Sequence, residues 1–302
     1  MAAEPFEDQV RLLVRVLGEL GRQDVLALKG GTAINLFLQD LPRLSVDIDL
    51  SHTGLEARPE ALERIDSELR ALAARLERLG LTARPGLLPG TDRAVKLVVG
   101  DGRVLVKVEV NPVLRGSVYP PERRAARPAV QERFGFAEVL TLAEPDVYAG
   151  KLVAALDRQH PRDLFDARLF LEQERFTRPV FDAFLVYLVS HPRPMHELLR
   201  PHLKPLRGEF EQAFAGMSAR AVSLKDLEET RADLLAAVHA GLTDDDRAFL
   251  LGLAEGAPDW SRLPVPNARE LPAVRWKLAN IERMPAAKRR EAVLSLGMAL
   301  TL

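Results

Sequence analysis

The stretch 29-KGGTAINLFLQDLPRLSVDIDLS-51 contains the pattern that decides the fold of this chain. Two glycines precede a short apolar segment, and the stretch ends in a run where apolar and polar residues alternate. Alternation with a period of two is typical of a β-strand with one buried and one polar face. The polar positions include Asp47 and Asp49, so the sequence predicts two mutually repelling carboxylates on one face of a strand.

The composition excludes several classes of protein. The chain has 302 residues, no cysteine, 47% hydrophobic residues and a formal net charge of −1. It is long enough to bury a substantial core, and the absence of cysteine excludes disulfides and thiolate metal sites. With so little net charge, any nucleic-acid contact must come from a local basic patch. We see no signal peptide and no apolar run of about 18 residues, so we expect a cytoplasmic protein with no membrane association.

Strand patterns fill the first half of the chain and helical patterns the second. Helices are expected at 6–20, 32–40 and 59–79, and strands in DVLALKGG (24–31) and at 43–51, 93–100, 103–111 and 136–143. Further helices are expected at 144–157, 161–174, 178–190, 222–240, 243–255 and 284–299. Strands followed by helices indicate an α+β fold with an N-terminal domain, 1–143, and a helical C-terminal domain, 144–302.

Asp47 and Asp49 suggest a metal site. Two carboxylates this close repel each other unless a cation lies between them, and oxygen-only ligands favour Mg²⁺ or Mn²⁺. The alternative is an exposed strand face with two solvated aspartates, which is common for an isolated D-x-D pattern.

The glycine pair just upstream indicates a phosphate site. Gly30 and Gly31 separate a strand from a helix, where glycine lets the backbone approach a phosphate and the helix N-terminus supplies free N–H groups. Lys29 lies beside them, and Thr32 is expected to cap the helix with a hydroxyl that could also touch a phosphate. A Gly-Gly pair alone is often only a turn.

Glu109 is the third carboxylate candidate, on the polar face of the strand at 103–111. If it joins the two aspartates, three carboxylates can bind two metal ions for phosphoryl transfer. The alternative is a solvent-facing glutamate paired with Lys107 or Lys96.

Residues 148–170 form the other segment dense in polar groups. Lys151 lies in a predicted helix, Pro161 starts the next one, and Asp163 and Asp166 share a face of that second helix. A lysine directed at a site could neutralise triphosphate charge, and an aspartate could orient it. The alternative is a pair of surface helices joined by ion pairs.

A basic stretch follows the strand that contains Glu109. Arg115, Arg123, Arg124 and Arg127 lie in a segment that we predict to be loop-like. They could contact an RNA backbone, or they could belong to a solvated loop.

Together these motifs resemble the AbiEii/AbiGii-type, MenT-like nucleotidyltransferase toxins of the polymerase-beta-like superfamily. The match consists of the Gly30-Gly31 turn, the strand motif Arg43-Leu44-Ser45-Val46-Asp47-Ile48-Asp49-Leu50, and Lys151 followed by Arg162-Asp163-Leu164-Phe165-Asp166. These motifs occur in the family's order and cover about residues 25–170.

The resemblance implies a fold, a reaction and a site. The fold is a mixed sheet flanked by helices, followed by a mostly helical domain that contributes Lys151 and Asp163 to the site. The reaction transfers a nucleoside monophosphate from an NTP to an acceptor, commonly tRNA, with Mg²⁺ or Mn²⁺, and an antitoxin protein restrains the enzyme. The implied catalytic residues are Asp47, Asp49, Lys151 and Asp163; the implied metal ligands are Asp47, Asp49 and Glu109; and the implied nucleotide-binding residues are Lys29, Gly30, Gly31, Thr32, Ser45 and Asp166.

Two other functions compete with an RNA-directed toxin. One is nucleotide transfer to a small molecule, as in antibiotic-modifying relatives, which requires an acidic acceptor pocket. The other is a catalytically silent binding protein of the same fold. Retention of all the polar groups in the motifs argues against the silent protein.

Overall fold

In the computed structural model, which describes residues 4–301, the chain divides into two compact units. Unit 1 runs to Val147 and also includes Ala215–Ala221, a segment far away in sequence. Unit 2 consists of Tyr148–Phe214 and the chain from Val222 onward. Within the described residues, no helix has both the length and the apolar character needed to cross a membrane.

Unit 1 contains the strands and the first helices. The strands are β1 (Leu26–Lys29), β2 (Asp47–His52), β3 (Thr82–Leu87), β4 (Ala94–Gly100), β5 (Leu105–Val110), β6 (Glu122–Ala125) and β7 (Glu138–Thr141). The helices are α1 (Glu4–Leu20), α2 (Gly30–Ala33), which continues as the π-helix Ile34–Leu38, α3 (Arg58–Arg78) and α4 (Pro128–Phe134). Helix α5 (Glu144–Arg158) begins in unit 1 and ends in unit 2.

The strands described form one mixed sheet in the order β3-β4-β5-β2-β1-β7-β6. Strand β2 pairs antiparallel with β1 and parallel with β5, so it lies in the middle of the sheet. Ile48, Leu50 and Val108 are fully buried on one face, and α1 and α3 pack against the strands. The opposite face of β2 carries Asp47 and Asp49, as the alternation predicts.

The regular secondary structure described in unit 2 consists of helices. After α5 come α6 (Pro161–Glu172), α7 (Arg178–Ser190), α8 (Met195–Leu199), α9 (Arg207–Ala213), α10 (Leu224–Gly241), α11 (Asp244–Glu255), α12 (Pro272–Glu282) and α13 (Ala286–Leu300), with 3₁₀ turns at Trp260–Arg262 and Ala268–Glu270. The six helices predicted beyond residue 144 are all present, whereas α8, α9 and α12 were not predicted.

Two predictions about the strands of unit 1 are wrong. The strand predicted from residue 43 begins only at Asp47, because Arg43 forms an isolated bridge with Ser218 instead of extending the sheet. The segment predicted to be loop-like contains β6, which pairs Arg123 and Arg124 with β7.

Candidate active site

Charged side chains form one cross-strand row in unit 1. Lys29 pairs with Asp49, Asp49 pairs with Glu109, and Glu109 pairs with Lys96 across β1, β2, β5 and β4. Directly paired residues project from the same face of a sheet. Two carboxylates therefore lie at the centre of the row with a lysine at each end.

Asp47 lies two positions before Asp49 on the same face, about 6–7 Å away between Cα atoms. Both side chains are half-buried, so they are held by the sheet and still accessible from solvent. Carboxylate oxygens are the donors that Mg²⁺ and Mn²⁺ prefer, so this pair fits a divalent cation. No three acidic or histidine side chains converge as a ready metal site in the part of the chain that the structure describes.

Glu109 has a partner of its own in this structure. Its Oε1 accepts a hydrogen bond of 2.6 Å from the Nζ of Lys96, and its side chain is 41% exposed. This is the pairing with Lys96 that the sequence left open. The role of Glu109 as a metal ligand stays a prediction.

The glycine turn packs closely against the aspartate strand. Gly30 has a φ of +70°, and a Cβ there would lie 2.7 Å from the Oδ2 of Asp49. A Cβ at Gly31 would lie 2.7 Å from the Nη2 of Arg43 and 3.2 Å from the Oγ of Ser45. Glycine is therefore favoured at position 30 by both backbone conformation and contact, and at position 31 by contact with the far end of the Arg43 side chain.

Thr32 ties the start of α2 to β2. Its hydroxyl is buried, lies 2.9 Å from the Oγ of Ser45 and donates to the backbone carbonyl of Asp47. The prediction that Thr32 caps the helix is wrong, because Lys29 occupies the N-cap position and makes no side-chain cap bond there. Thr32 and the buried Ser45 thus act as structural supports for the strand, and their contact with a nucleotide stays a prediction.

Arg43 is a positioning residue to which the sequence analysis gave no role. It is 2% exposed, its Nη1 donates to the carbonyl of Leu44, and its Nη2 would meet any Cβ at Gly31. The carbonyl of Met217 accepts from the N–H of Leu44, so the returning segment of unit 1 braces this stretch. The signal was present in the sequence, because Arg43 opens the motif that contains both aspartates.

Unit 2 brings together the other predicted site residues. The Nζ of Lys151 lies 2.7 Å from the Oδ1 of Asp163 and 3.0 Å from the Oδ2 of Asp166. The Nε of Arg158 donates to the Oδ2 of Asp163 at 2.6 Å. The alternative expected ion pairs between two surface helices. The ion pairs are present, but Lys151, Asp163 and Asp166 are all at most 5% exposed, so their placement at the surface is wrong.

The charge of Asp163 is strongly stabilised. Burial by itself would raise the pKa of Asp163, but Lys151 and Arg158 outweigh burial and hold that pKa well below its ordinary value. Asp163 is therefore an anion at every pH at which the protein is ordinarily studied.

The chain between α5 and α6 sets this geometry. Gln159 adopts a left-handed conformation with a φ of 54°, and its side chain donates to the carbonyl of His202 at 2.8 Å. The Nδ1 of His160 accepts from the N–H of Arg162 as the N-cap, and Pro161 occupies the first turn. The sharp change of direction brings Lys151 of α5 against Asp163 of α6.

The basic stretch is largely occupied by internal contacts. Arg115 is buried and donates to the carbonyl of Glu56. Arg123 pairs with Asp24 at 2.7 Å, and Arg124 pairs with Glu122 at 2.6 Å. Arg127 precedes α4 and is exposed.

The mixed sheet holds the paired carboxylates Asp47 and Asp49 against Gly30 and Gly31, as the family resemblance implies. The family model described as nucleotidyl transferase AbiEii toxin, type IV toxin–antitoxin system, matches residues 11–280. The chain belongs to this AbiEii family and is a nucleotidyltransferase. Membership in a toxin–antitoxin family also implies an antitoxin partner.

Solved structures include a protein of the same fold. The chain is similar to MenT4, a nucleotidyltransferase toxin from Mycobacterium tuberculosis H37Rv, with 20% identity, a TM-score of 0.56, and coverage of 97% of this chain and 93% of that one. This likeness confirms the predicted fold, a mixed sheet flanked by helices with a helical C-terminal part. A search of curated proteins found no match.

Proposed function

We propose that this nucleotidyltransferase transfers a nucleoside monophosphate from an NTP to an RNA acceptor, tRNA in particular, and releases pyrophosphate. The observation that carries the proposal is the contact between Gly30 and Asp49. It places a backbone turn that a phosphate can approach directly beside a carboxylate that can hold a cation. Lys29 follows in the same row and supplies a positive charge for the triphosphate.

The reaction joins the acceptor to the α-phosphorus of the NTP. A hydroxyl oxygen of the acceptor forms a bond to that phosphorus, the bond from the phosphorus to the pyrophosphate oxygen breaks, and the hydroxyl proton leaves to solvent. A divalent cation, when bound, would neutralise charge on the phosphate oxygens. Asp47 and Asp49 would hold it through their carboxylates, and the sheet would keep both carboxylates in place.

The remaining site residues enter the proposal through the family resemblance. Lys151, Asp163 and Asp166 form a neutralised, buried cluster in unit 2, and their part in the reaction stays a prediction. Glu109 is proposed as a further ligand that would exchange its bond to Lys96 for a bond to the cation.

RNA is favoured as the acceptor because the chain belongs to a toxin family, and the toxins that its sequence resembles commonly modify tRNA. Transfer to a small molecule is the competing outcome. The two differ in what becomes labelled, so one assay separates them.

The test is an incubation with each NTP labelled at the α-phosphate, with Mg²⁺ and either total tRNA or a small-molecule pool. We expect label in tRNA with the wild type and a loss of about 10²–10³-fold in Asp49→Asn, in line with the removal of one key electrostatic group. Asp8→Asn is the matched control, because Asp8 is an exposed aspartate of α1 in the same unit. It should label tRNA at the wild-type rate.

Other outcomes would contradict the proposal. Label confined to the small-molecule pool would show that the acceptor is a small molecule and not RNA. Equal labelling by the wild type and Asp49→Asn would show that Asp49 has no part in the reaction. Circular dichroism and thermal unfolding of each variant exclude misfolding as the cause of a lost signal.

A further inference from the structure

A cavity of about 360 Å³ lies within unit 2, apart from the residues considered so far. Its lining comes mainly from α8, α12, α13 and the residues just before α8. Most of the side chains are apolar, among them Met195, Trp276, Ile281, Met284 and Leu296. Its volume is within the range of cavities that hold small ligands, about 300–1,000 Å³.

Lys277, which is half-buried, places a cation in this lining, where Lys288 and Glu291 are also charged but are exposed. Its Nζ donates one hydrogen bond of 3.0 Å to the backbone carbonyl of Arg193. Among residues 4–301, no carboxylate oxygen lies within 4.0 Å of this Nζ, which is the limit for an ion pair. Glu291 also lines the cavity, but it is exposed and does not pair with Lys277.

The contrast with Lys151 shows what a buried lysine ordinarily requires. Lys151 has two aspartates within 3.0 Å, whereas Lys277 has one carbonyl oxygen. An ammonium group removed from water without a counter-ion is unfavourable. Burial lowers the pKa of Lys277 to about 8, so the side chain is still mostly protonated at neutral pH. The cavity therefore presents a positive charge that lacks a negative partner.

We propose that this cavity is a binding site for a small apolar carboxylate, whose carboxylate group pairs with Lys277. The ammonium group of Lys277 would pair with the carboxylate, and the apolar part of the ligand would pack against Trp276 and Met284. Asn280 and Ser295 line the same cavity and offer further hydrogen bonds. This site goes beyond nucleotide transfer, because none of its residues belongs to the proposed reaction.

The test compares two ligands that differ only in charge. The full chain is titrated with 3-cyclohexylpropanoate and with 3-cyclohexylpropanol, and binding is followed by calorimetry and by the fluorescence of Trp276. We expect the carboxylate to bind at least about tenfold more tightly than the alcohol, because it forms a charge-assisted hydrogen bond. The fluorescence response should disappear in Trp276→Phe.

Variants assign the difference to Lys277. In Lys277→Met, the affinity for the carboxylate should fall about tenfold, to that of the alcohol. Lys225→Met, at an exposed lysine of α10, should bind both ligands as the wild type does. Ala292→Phe places a large side chain in the cavity lining and should weaken the binding of both ligands.

Three results would overturn the proposal: equal binding of the two ligands, no binding of either, or unchanged carboxylate affinity in Lys277→Met. If Lys277→Met does not fold, the comparison of the two ligands on the wild type and on Ala292→Phe still decides the question.

Discussion

The carboxylates of unit 1 and those of unit 2 meet positive charge in different ways. Asp47 and Asp49 lie half-buried on a sheet face, where solvent and an added cation can reach them. Asp163 and Asp166 are buried, and both lie within 3.0 Å of the Lys151 ammonium group. The first pair lies where a cation from outside the chain can reach it, whereas the second pair contacts a lysine of the chain itself. We therefore expect the first pair to bind a cation, whereas the part of the second pair in the reaction stays a prediction.

The largest expected effect comes from removing the cation of the buried cluster. Lys151→Met leaves the buried carboxylates of Asp163 and Asp166 without the positive charge of the lysine. We expect it to lower the free energy of unfolding by about 3–5 kcal/mol, as the breaking of a buried ion pair does. Asp49→Asn removes one charge from an accessible face and should change the free energy of unfolding by less than about 1 kcal/mol. Urea unfolding at pH 7 measures both.

A similar loss in the two variants would break the comparison, because the sheet carboxylates would then be as structural as the buried ones. Asp8→Asn provides the baseline for an exposed aspartate. Lys225→Met does so for an exposed lysine.

The second expected effect is an increase in the free energy of unfolding, whereas Lys151→Met should lower it. Lys277→Met should raise the free energy of unfolding at pH 7 by about 1–3 kcal/mol, because it removes a half-buried charge whose pKa has dropped to about 8. The folded protein releases the Lys277 proton at lower pH than the unfolded chain. The free energy of unfolding of the wild type should therefore increase as pH rises from about 8 to about 10.4, because Lys277 loses its proton in the folded protein first. Lys277→Met should not show this increase.

Denaturant unfolding between pH 7 and pH 10.5 tests this expectation, with Lys225→Met as the control. A destabilised Lys277→Met with an unchanged pH profile would mean that the bond to Arg193 matters more than the buried charge.

The third effect separates two glycines that share a backbone conformation. Gly30 has a φ of +70° and Gly80 a φ of +77°, but only Gly30 has an atom in the way of an added Cβ. Each substitution by alanine should lower the free energy of unfolding by about 1–2 kcal/mol, because a residue with a Cβ is strained in the left-handed conformation. Gly30→Ala should in addition displace Asp49 and lower nucleotide transfer about tenfold or more, whereas Gly80→Ala should leave the rate unchanged.

Transfer rates measured at a temperature where both variants are folded decide this point. Equal rates in the two variants would show that the contact between Gly30 and Asp49 has no part in catalysis.

The geometry of the candidate site was predictable from the sequence where it follows from a local pattern. Alternation placed Asp47 and Asp49 on one face of a strand, and glycine spacing placed the turn, because both follow from backbone geometry over a few residues. Pro161 likewise predicted the break that starts α6.

Other features depend on contacts between distant residues. β3 contains Pro85 and Gly86, which obscure a strand pattern, and it is recognisable only by its pairing with β4 at the edge of the sheet. The burial of Lys151 was hidden because a lysine in a helix pattern is usually exposed. The return of Ala215–Ala221 to unit 1 has no local signal, since the partner of Met217 is Leu44.

The smallest expected change in stability concerns Glu109 and Lys96. Their side chains are 41% and 54% exposed, and ion pairs with such exposure contribute at most about 1 kcal/mol. Glu109→Gln and Lys96→Met should therefore unfold nearly as the wild type does. Activity separates them: if Glu109 exchanges Lys96 for a cation, Glu109→Gln should raise the Mg²⁺ concentration needed for half-maximal transfer by about tenfold.

Lys96→Met should have the opposite effect on that Mg²⁺ concentration, because it removes the cation that competes for Glu109. Glu60→Gln, at an exposed glutamate in the first turn of α3, is the control. If the Mg²⁺ dependence of transfer is the same in Glu109→Gln, Lys96→Met and the control, the Glu109–Lys96 pair is structural. The sheet would then offer a cation only Asp47 and Asp49, and the remaining ligands would have to come from the nucleotide and water.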